Sequence, residues 1–237
     1  MPSEFPGFST EGLAFFRSLQ RNNRREWFQP RKAIFEETLK QPMRELVAAV
    51  NAKMQRFAPE HVTDPDKAMY RLYRDTRFSH DKTPYKDHIA ASFPPRGVQD
   101  GAGYYFAISH KEVAIGGGLY MPQPQTLLAV RHRIAEQHEQ FRKITQSRTL
   151  QSLYGPMQGE QLARVPKGFP KDHQAADLLR FKRFIFYVEL APELAVTPAL
   201  FTEIVKHFKA IAPFLDFLNA PGGTDDQIVS SVTPPGF

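Results

Sequence analysis

The sequence predicts a single α+β domain: a mainly antiparallel sheet of about five strands, covered by helices from the N-terminal third, the 124–145 region and the C-terminal segment. Three observations carry this. Apolar residues of the first third recur at helical spacing. The middle third changes to short aromatic and β-branched runs bounded by Pro, Gly and Asp. No stretch between the two is long enough to serve as a linker, so one domain is expected over residues 1–220, with 221–237 as an irregular tail.

Taken in order, Phe8, Leu13, Phe16 and Leu19 form the first helical stripe after the candidate caps Ser9 and Thr10. Asn22 and Asn23 break that helix. Asn23 is then read as the cap of the next, with Glu26 in the capping-box position. Trp27, Phe28, Ile34, Phe35 and Leu39 continue the stripe. Pro42 suits the first turn of a further helix carrying Met43, Leu46, Val47, Val50 and Met54. Residues 67–73, 87–93, 103–109, 112–119 and 181–190 read as strands, with a hairpin turning near Ser109, His110 and Lys111. The helical period returns after Pro124 through Leu127, Leu128, Ile134, Phe141 and Ile144. Thr197 and Pro198 open a last helix bearing Leu200, Ile204, Phe208, Ile211 and Leu215.

Composition limits the chemistry. The 41% hydrophobic content and twenty phenylalanines supply a sizeable core. There is no cysteine, which excludes disulfides, thiolate metal sites and a cysteine nucleophile and agrees with a cytoplasmic protein. No run approaches the roughly 18 apolar residues of a membrane span. The net charge of +6 favours an anionic partner. The eight histidines are scattered, HExxH and GxSxG are missing, and a meeting of Asp75, Asp81 and His88 around a metal is read as chance clustering. No metal or other cofactor is expected.

The densest chemistry is RDTRFSHDKTPYK, residues 74–86. Arg74 and Arg77, three apart, can converge on one oxyanion, with Lys82 and Lys86 adding charge. Asp75 and Asp81 can fix those cations or serve as a general base, and Tyr85 offers a flat face and a hydroxyl. These three are the candidate catalytic residues. Arg131 lies on the apolar stripe of the helix after Pro124, where a cation must meet a partner or reach for water. Lys167 stands on the turn Pro166, Lys167, Gly168, Phe169, ahead of a short helix with Asp177, Leu178 and Leu179; the spacing is not that of a P-loop. Gly116, Gly117 and Gly118 close a strand, a pattern explained by an aromatic packed across them or by a ligand.

In this order these segments resemble the domain of unknown function 2461 family of conserved hypothetical bacterial and fungal proteins. The likeness rests on Asn22, Asn23, Glu26, Trp27 and Phe28, on residues 74–86, on the glycine run, and on Arg131, Pro166, Lys167, Gly168, Asp177, Leu178 and Leu179. His80 stands where the family pattern tolerates variety. The resemblance implies a single compact unit and one shared site, and it brings no activity with it.

Three functions follow. In the first, Arg74, Arg77, Lys82, Tyr85, Lys86, Arg131 and Lys167 gather around a phosphate-bearing or carboxylate small molecule, as a binding protein or an enzyme of unknown reaction. In the second, the loop is an ion-paired scaffold and the working surface lies elsewhere, for instance a protein interface. In the third, the loop binds nucleic acid; the five cations and three carboxylates of residues 71–88, a net +2, count against a phosphate-tracking surface.

Overall fold

In a computed structural model of the chain the described residues are 5–77 and 80–220. Residues 1–4, Phe78, Ser79 and the tail expected at 221–237 lie outside them.

The N-terminal third is helical. Helix α1 (Thr10–Arg21) begins where the Ser9 hydroxyl accepts the Gly12 N–H at 3.1 Å, and it buries Phe15, Phe16 and Leu19. Helix α2 (Arg25–Phe28), a 3₁₀ turn (Gln29–Arg31), α3 (Lys32–Phe35), a π turn (Glu36–Lys40) and α4 (Gln41–Met54) follow almost without a break. Pro42 sits in the first turn of α4, as its sequence position implies. It has no N–H for the carbonyl one turn earlier, and the widened π turn immediately precedes it. The capping expectation for Asn23 is corrected. The N-cap of α2 is Arg24, with no side-chain bond, because the Asn23 amide is engaged by Tyr85 instead.

A short helix, α5 (Pro65–Ala68), capped by Asp64 at 2.9 Å from the Asp66 N–H, leads into the sheet. The sheet is an antiparallel meander of β1 (His88–Phe93), β2 (Gly103–Ser109), β3 (Val113–Leu119) and β4 (Phe184–Leu190). It has four strands rather than about five. The expected strand at 67–73 makes only two isolated bridges, Met69 with Ala91 and Tyr73 with Tyr85. Four steps along one segment match six along the other, so the β1 side bulges and the ladder is interrupted. Two further bridges, Gln158 with Ile185 and Gln161 with Phe181, flank β4 at the opposite margin.

Between β3 and β4 run α6 (Pro124–Glu136), α7 (His138–Thr145), α8 (Arg148–Tyr154) and α9 (Ala176–Leu179), and α10 (Ala199–Asn219) completes the fold. The register sorts side chains by face. Phe93, Tyr104, Gly117 and Phe186 form one cross-strand row and Ser92, Tyr105, Gly116 and Tyr187 the next. The first row meets α10. The Phe208 ring lies 5.7, 4.7 and 6.3 Å from those of Phe93, Tyr104 and Phe106, and the Phe214 ring 4.9 Å from that of Phe186. A Cβ on Gly117 would stand 3.3 Å from Ile211 Cδ1, so this glycine sets how closely the helix seats. The second row lies on the face that α10 leaves open, beside a small apolar cluster of Ala90, Ala107 and Ala114. At the end of α10 the Asn219 side chain bonds both backbone groups of Ala102, at 2.7 and 2.9 Å, and ties the helix to the entry of β2.

Candidate functional site

The charged loop is bound up in itself. Arg74 donates through Nη1 to the Asp81 carboxylate and to Thr83 Oγ1 at 2.9 Å. Asp81 also accepts the Thr83 N–H and hydroxyl at 2.9 and 2.8 Å. Arg77 grips Asp75 through Nε and Nη2 at 3.0 and 2.7 Å, and Lys82 donates to the Thr76 carbonyl at 2.9 Å. Hydrogen bonds from Thr83 and then Arg74 hold Asp81 below the usual carboxylate range, and Arg77 does the same for Asp75. The Tyr85 ring points inward, 4.4 Å from that of Phe28, with 1% of the residue exposed. Burial pushes its phenol up. Among the described residues no three histidine or carboxylate side chains gather as a metal site.

The structure does not gather the six cations at one place. The loop adjoins β1, whereas Arg131 is buried on α6 and donates through Nη2 to the Phe181 carbonyl at 2.9 Å, just ahead of β4. Lys167 is exposed on a turn whose Phe169 packs against His132 of α6 at 4.9 Å. β1 and β4 stand at opposite ends of the strand order, with β2 and β3 between them. The ion-paired loop thus stands at the β1 margin and the buried Arg131 at the β4 margin. Asp177 belongs to the second group, paired with Arg142 at 2.6 Å.

What the fold does open is a cavity of about 670 Å³ on the free face of the sheet. Its floor is bare. Gly103 and Gly118 are paired across β2 and β3, and Gly116 follows two positions along. Backbone geometry demands glycine at Gly118, where φ is +138° and an added Cβ would stand 2.1 Å from the Phe184 carbonyl oxygen. At Gly116 an added Cβ would stand 2.6 Å from the Phe186 carbonyl oxygen and 3.2 Å from Tyr187 Cδ2, so the neighbouring backbone first and the tyrosine ring second leave no room for a side chain. The walls are tyrosines: Tyr70, Tyr105, Tyr120 and Tyr187. Tyr70 and Tyr120 are 48% and 62% exposed. Burial pushes the phenols of Tyr105 and Tyr187 up to about 12, so both remain neutral donors near neutral pH. Ser92, Asp100 and Gln158 add polar groups, and Asp100 holds a left-handed backbone, φ 53°, beside the floor.

One residue joins the charged loop to this cavity. Lys86 places its ammonium 5.0 Å from the centre of the Tyr70 ring, and Tyr70 in turn lies 6.2 Å from Tyr105. Lys86 is half-buried and meets no carboxylate within ion-pair range among the described residues. Burial first, then the positive charges of Arg71 and Arg74, draw its amine below the ordinary lysine range. On the far side Arg183 stacks on Tyr120 at 5.3 Å, but Glu160 shares it at 3.3 Å.

The tyrosine walls were missed in the sequence because Tyr105 and Tyr187 are ordinary strand residues and Tyr70 and Tyr120 lie in loops; only the register puts Tyr105, Gly116 and Tyr187 in one row. Signals were present in the adjacent pair Tyr104 and Tyr105, which must face opposite ways, and in the glycine run opposite them. Among the described residues no helix is long and apolar enough to cross a membrane. Comparison with curated proteins and with solved structures yields no match. A family model described as "Conserved hypothetical protein (DUF2461)" matches residues 11–217. Since that match takes in nearly all of the described fold, both margins of the sheet included, the chain belongs to the DUF2461 family of conserved hypothetical proteins.

Proposed function

We propose that the protein binds a small organic anion, bearing phosphate or carboxylate, in the tyrosine-walled cavity on the open face of the sheet. The observation that carries this is Lys86: a half-buried ammonium with no carboxylate partner among the described residues, set over Tyr70 at the cavity's margin. Such a charge is costly to hold without a counter-ion, and a bound anion supplies one. The volume of about 670 Å³ suits a metabolite-sized ligand. The reading is one of binding, since Asp75 and Asp81 are committed to Arg77 and Arg74.

Melting temperature measured against phosphate, citrate and nucleotide anions tests the proposal. A rise with at least one anion, lost in Lys86→Met, is expected. An unchanged melting temperature across the panel overturns it.

For the loop itself, the pairs Arg74–Asp81 and Arg77–Asp75 favour the scaffold reading. A single-stranded nucleic acid would use the same tyrosines as a stacking platform. Against it, Glu189 shares the open face in the row of Ala90, Ala107 and Ala114, and Glu112 lies beside it, so a phosphate chain crossing the sheet meets like charge.

A further inference from the structure

We infer that the anion taken by this cavity is carried on a planar aromatic ring, as in a nucleoside monophosphate or an aromatic acid. The inference rests on the anion-binding reading and adds the shape of the ligand's other half. The paired glycines Gly103 and Gly118 leave a patch of backbone two strands wide with no Cβ above it, about 4.8 Å from strand to strand. A flat body can lie there in contact with peptide planes, where a branched or bulky one would be held away. The walls around the patch are rings. Tyr105 and Tyr187 stand two positions along, in the next row that shares this face, and Tyr120 stands at the other end. Aromatic pairs are favourable with centroids about 4.5–7 Å apart, so a ring seated beside these walls gains contacts that a ring-free ligand does not.

The polar groups lie at the edges of the patch rather than on its floor. Ser92 makes no side-chain hydrogen bond among the described residues and lies in the row of Tyr105. Gln158 gives its amide N–H to the Tyr187 carbonyl at 2.8 Å, which leaves its side-chain oxygen as an acceptor. Asp100 presents a carboxylate suited to hydroxyl or amino groups on a ligand. This is the distribution that a heteroaromatic ring with polar substituents requires: apolar above and below, hydrogen-bonding around the rim. The anionic group then extends past Tyr105 and Tyr70 toward Lys86, with Arg71 and Arg74 close enough to reinforce the positive field.

Matched probes separate the ring from the charge. Adenosine monophosphate, adenosine and ribose 5-phosphate are titrated by calorimetry at fixed ionic strength. Ligand-observed NMR reports which protons receive saturation. The expected order is adenosine monophosphate at least tenfold tighter than either fragment, with saturation strongest on the base. Tyr105→Leu, or Tyr120→Ser where the first variant folds poorly, removes the preference for the ring. Lys86→Met brings the monophosphate down to the level of adenosine. A second pair, 4-hydroxybenzoate and cyclohexanecarboxylate, asks the same of a carboxylate; tighter binding of the aromatic member supports the inference and assigns the acid. Equal binding of ring-bearing and ring-free anions in both sets overturns the ring while leaving the anion site standing. Binding by none of the five probes overturns both readings.

Discussion

The side-chain amide of Asn23 closes on the backbone of Tyr85 from both sides, donating to its carbonyl at 2.8 Å and accepting its N–H at 3.0 Å across 62 residues of sequence. The turn after α1 is thereby fixed to the exit of the charged loop, and the Tyr85 ring is delivered to Phe28. Asn219 repeats the device at Ala102. Asn23→Ala leaves two partly buried backbone groups unpaired, and a loss of about 1–3 kcal/mol is expected by urea denaturation. Asn23→Asp, which keeps the acceptor but not the donor, retains part of that stability. Equal stability of all three proteins refutes the clamp.

Gly118→Ala forces a side chain into a left-handed backbone and against the Phe184 carbonyl. A loss on the order of 2–4 kcal/mol follows, combining backbone strain with overpacking. Gly168→Ala offers the control. Its φ is +94°, but nothing stands within 4 Å of the added carbon, so only the strain is incurred and the loss is smaller. The difference between the two denaturation midpoints measures the crowding.

Arg131→Ala deprives the Phe181 carbonyl of its donor and opens a void under α6. The expected cost is about 2–4 kcal/mol. Because this arginine serves the β4 margin, anion affinity in cavity titrations remains that of the unaltered protein within twofold. A selective loss of anion binding in a fully folded Arg131→Ala protein would restore a shared site for Arg131 and the loop.

Burial lowers the imidazole of His61, which donates its Nδ1–H to the Phe93 carbonyl at 2.8 Å, and burial lowers His207 and His88 in the same direction. A folded-state value below the unfolded one means that the unfolded chain binds protons first as pH falls. Stability from these groups is whole above the ordinary histidine value of 6.5 and drains away as pH drops through the lowered folded values. Urea midpoints taken from about pH 7.5 down to about pH 5 should fall, and His61→Gln should flatten that slope. A midpoint that does not change over this interval contradicts the assignment.

Much of the fold was written in local pattern. The stripe from Met43 to Met54, the hairpin at Ser109, and the last helix from Leu200 to Leu215 each follow from short-range periodicity, and the structure has all three. Long-range pairing was not legible. Asn23 matches a helix cap in spelling, and only its encounter with Tyr85 assigns the amide elsewhere. Arg131 could be singled out as a cation on an apolar stripe, but its partner is a carbonyl, which every residue has, so nothing in the sequence pointed to Phe181. The candidate site suffered most. Its tyrosines come from two strands, β2 and β4, and two loops, and a register is needed before they share a wall.

The incomplete bridges along the two sides of the sheet have a bearing on how the molecule behaves in a crowd. Met69 and Tyr73 lie against the β1 side and Gln158 and Gln161 against the β4 side, so each outermost strand already has a neighbour. A sheet bordered in this way offers little template for a foreign strand to dock upon. Concentrated solutions of the folded protein should therefore resist the fibrous self-association to which naked β-margins are prone.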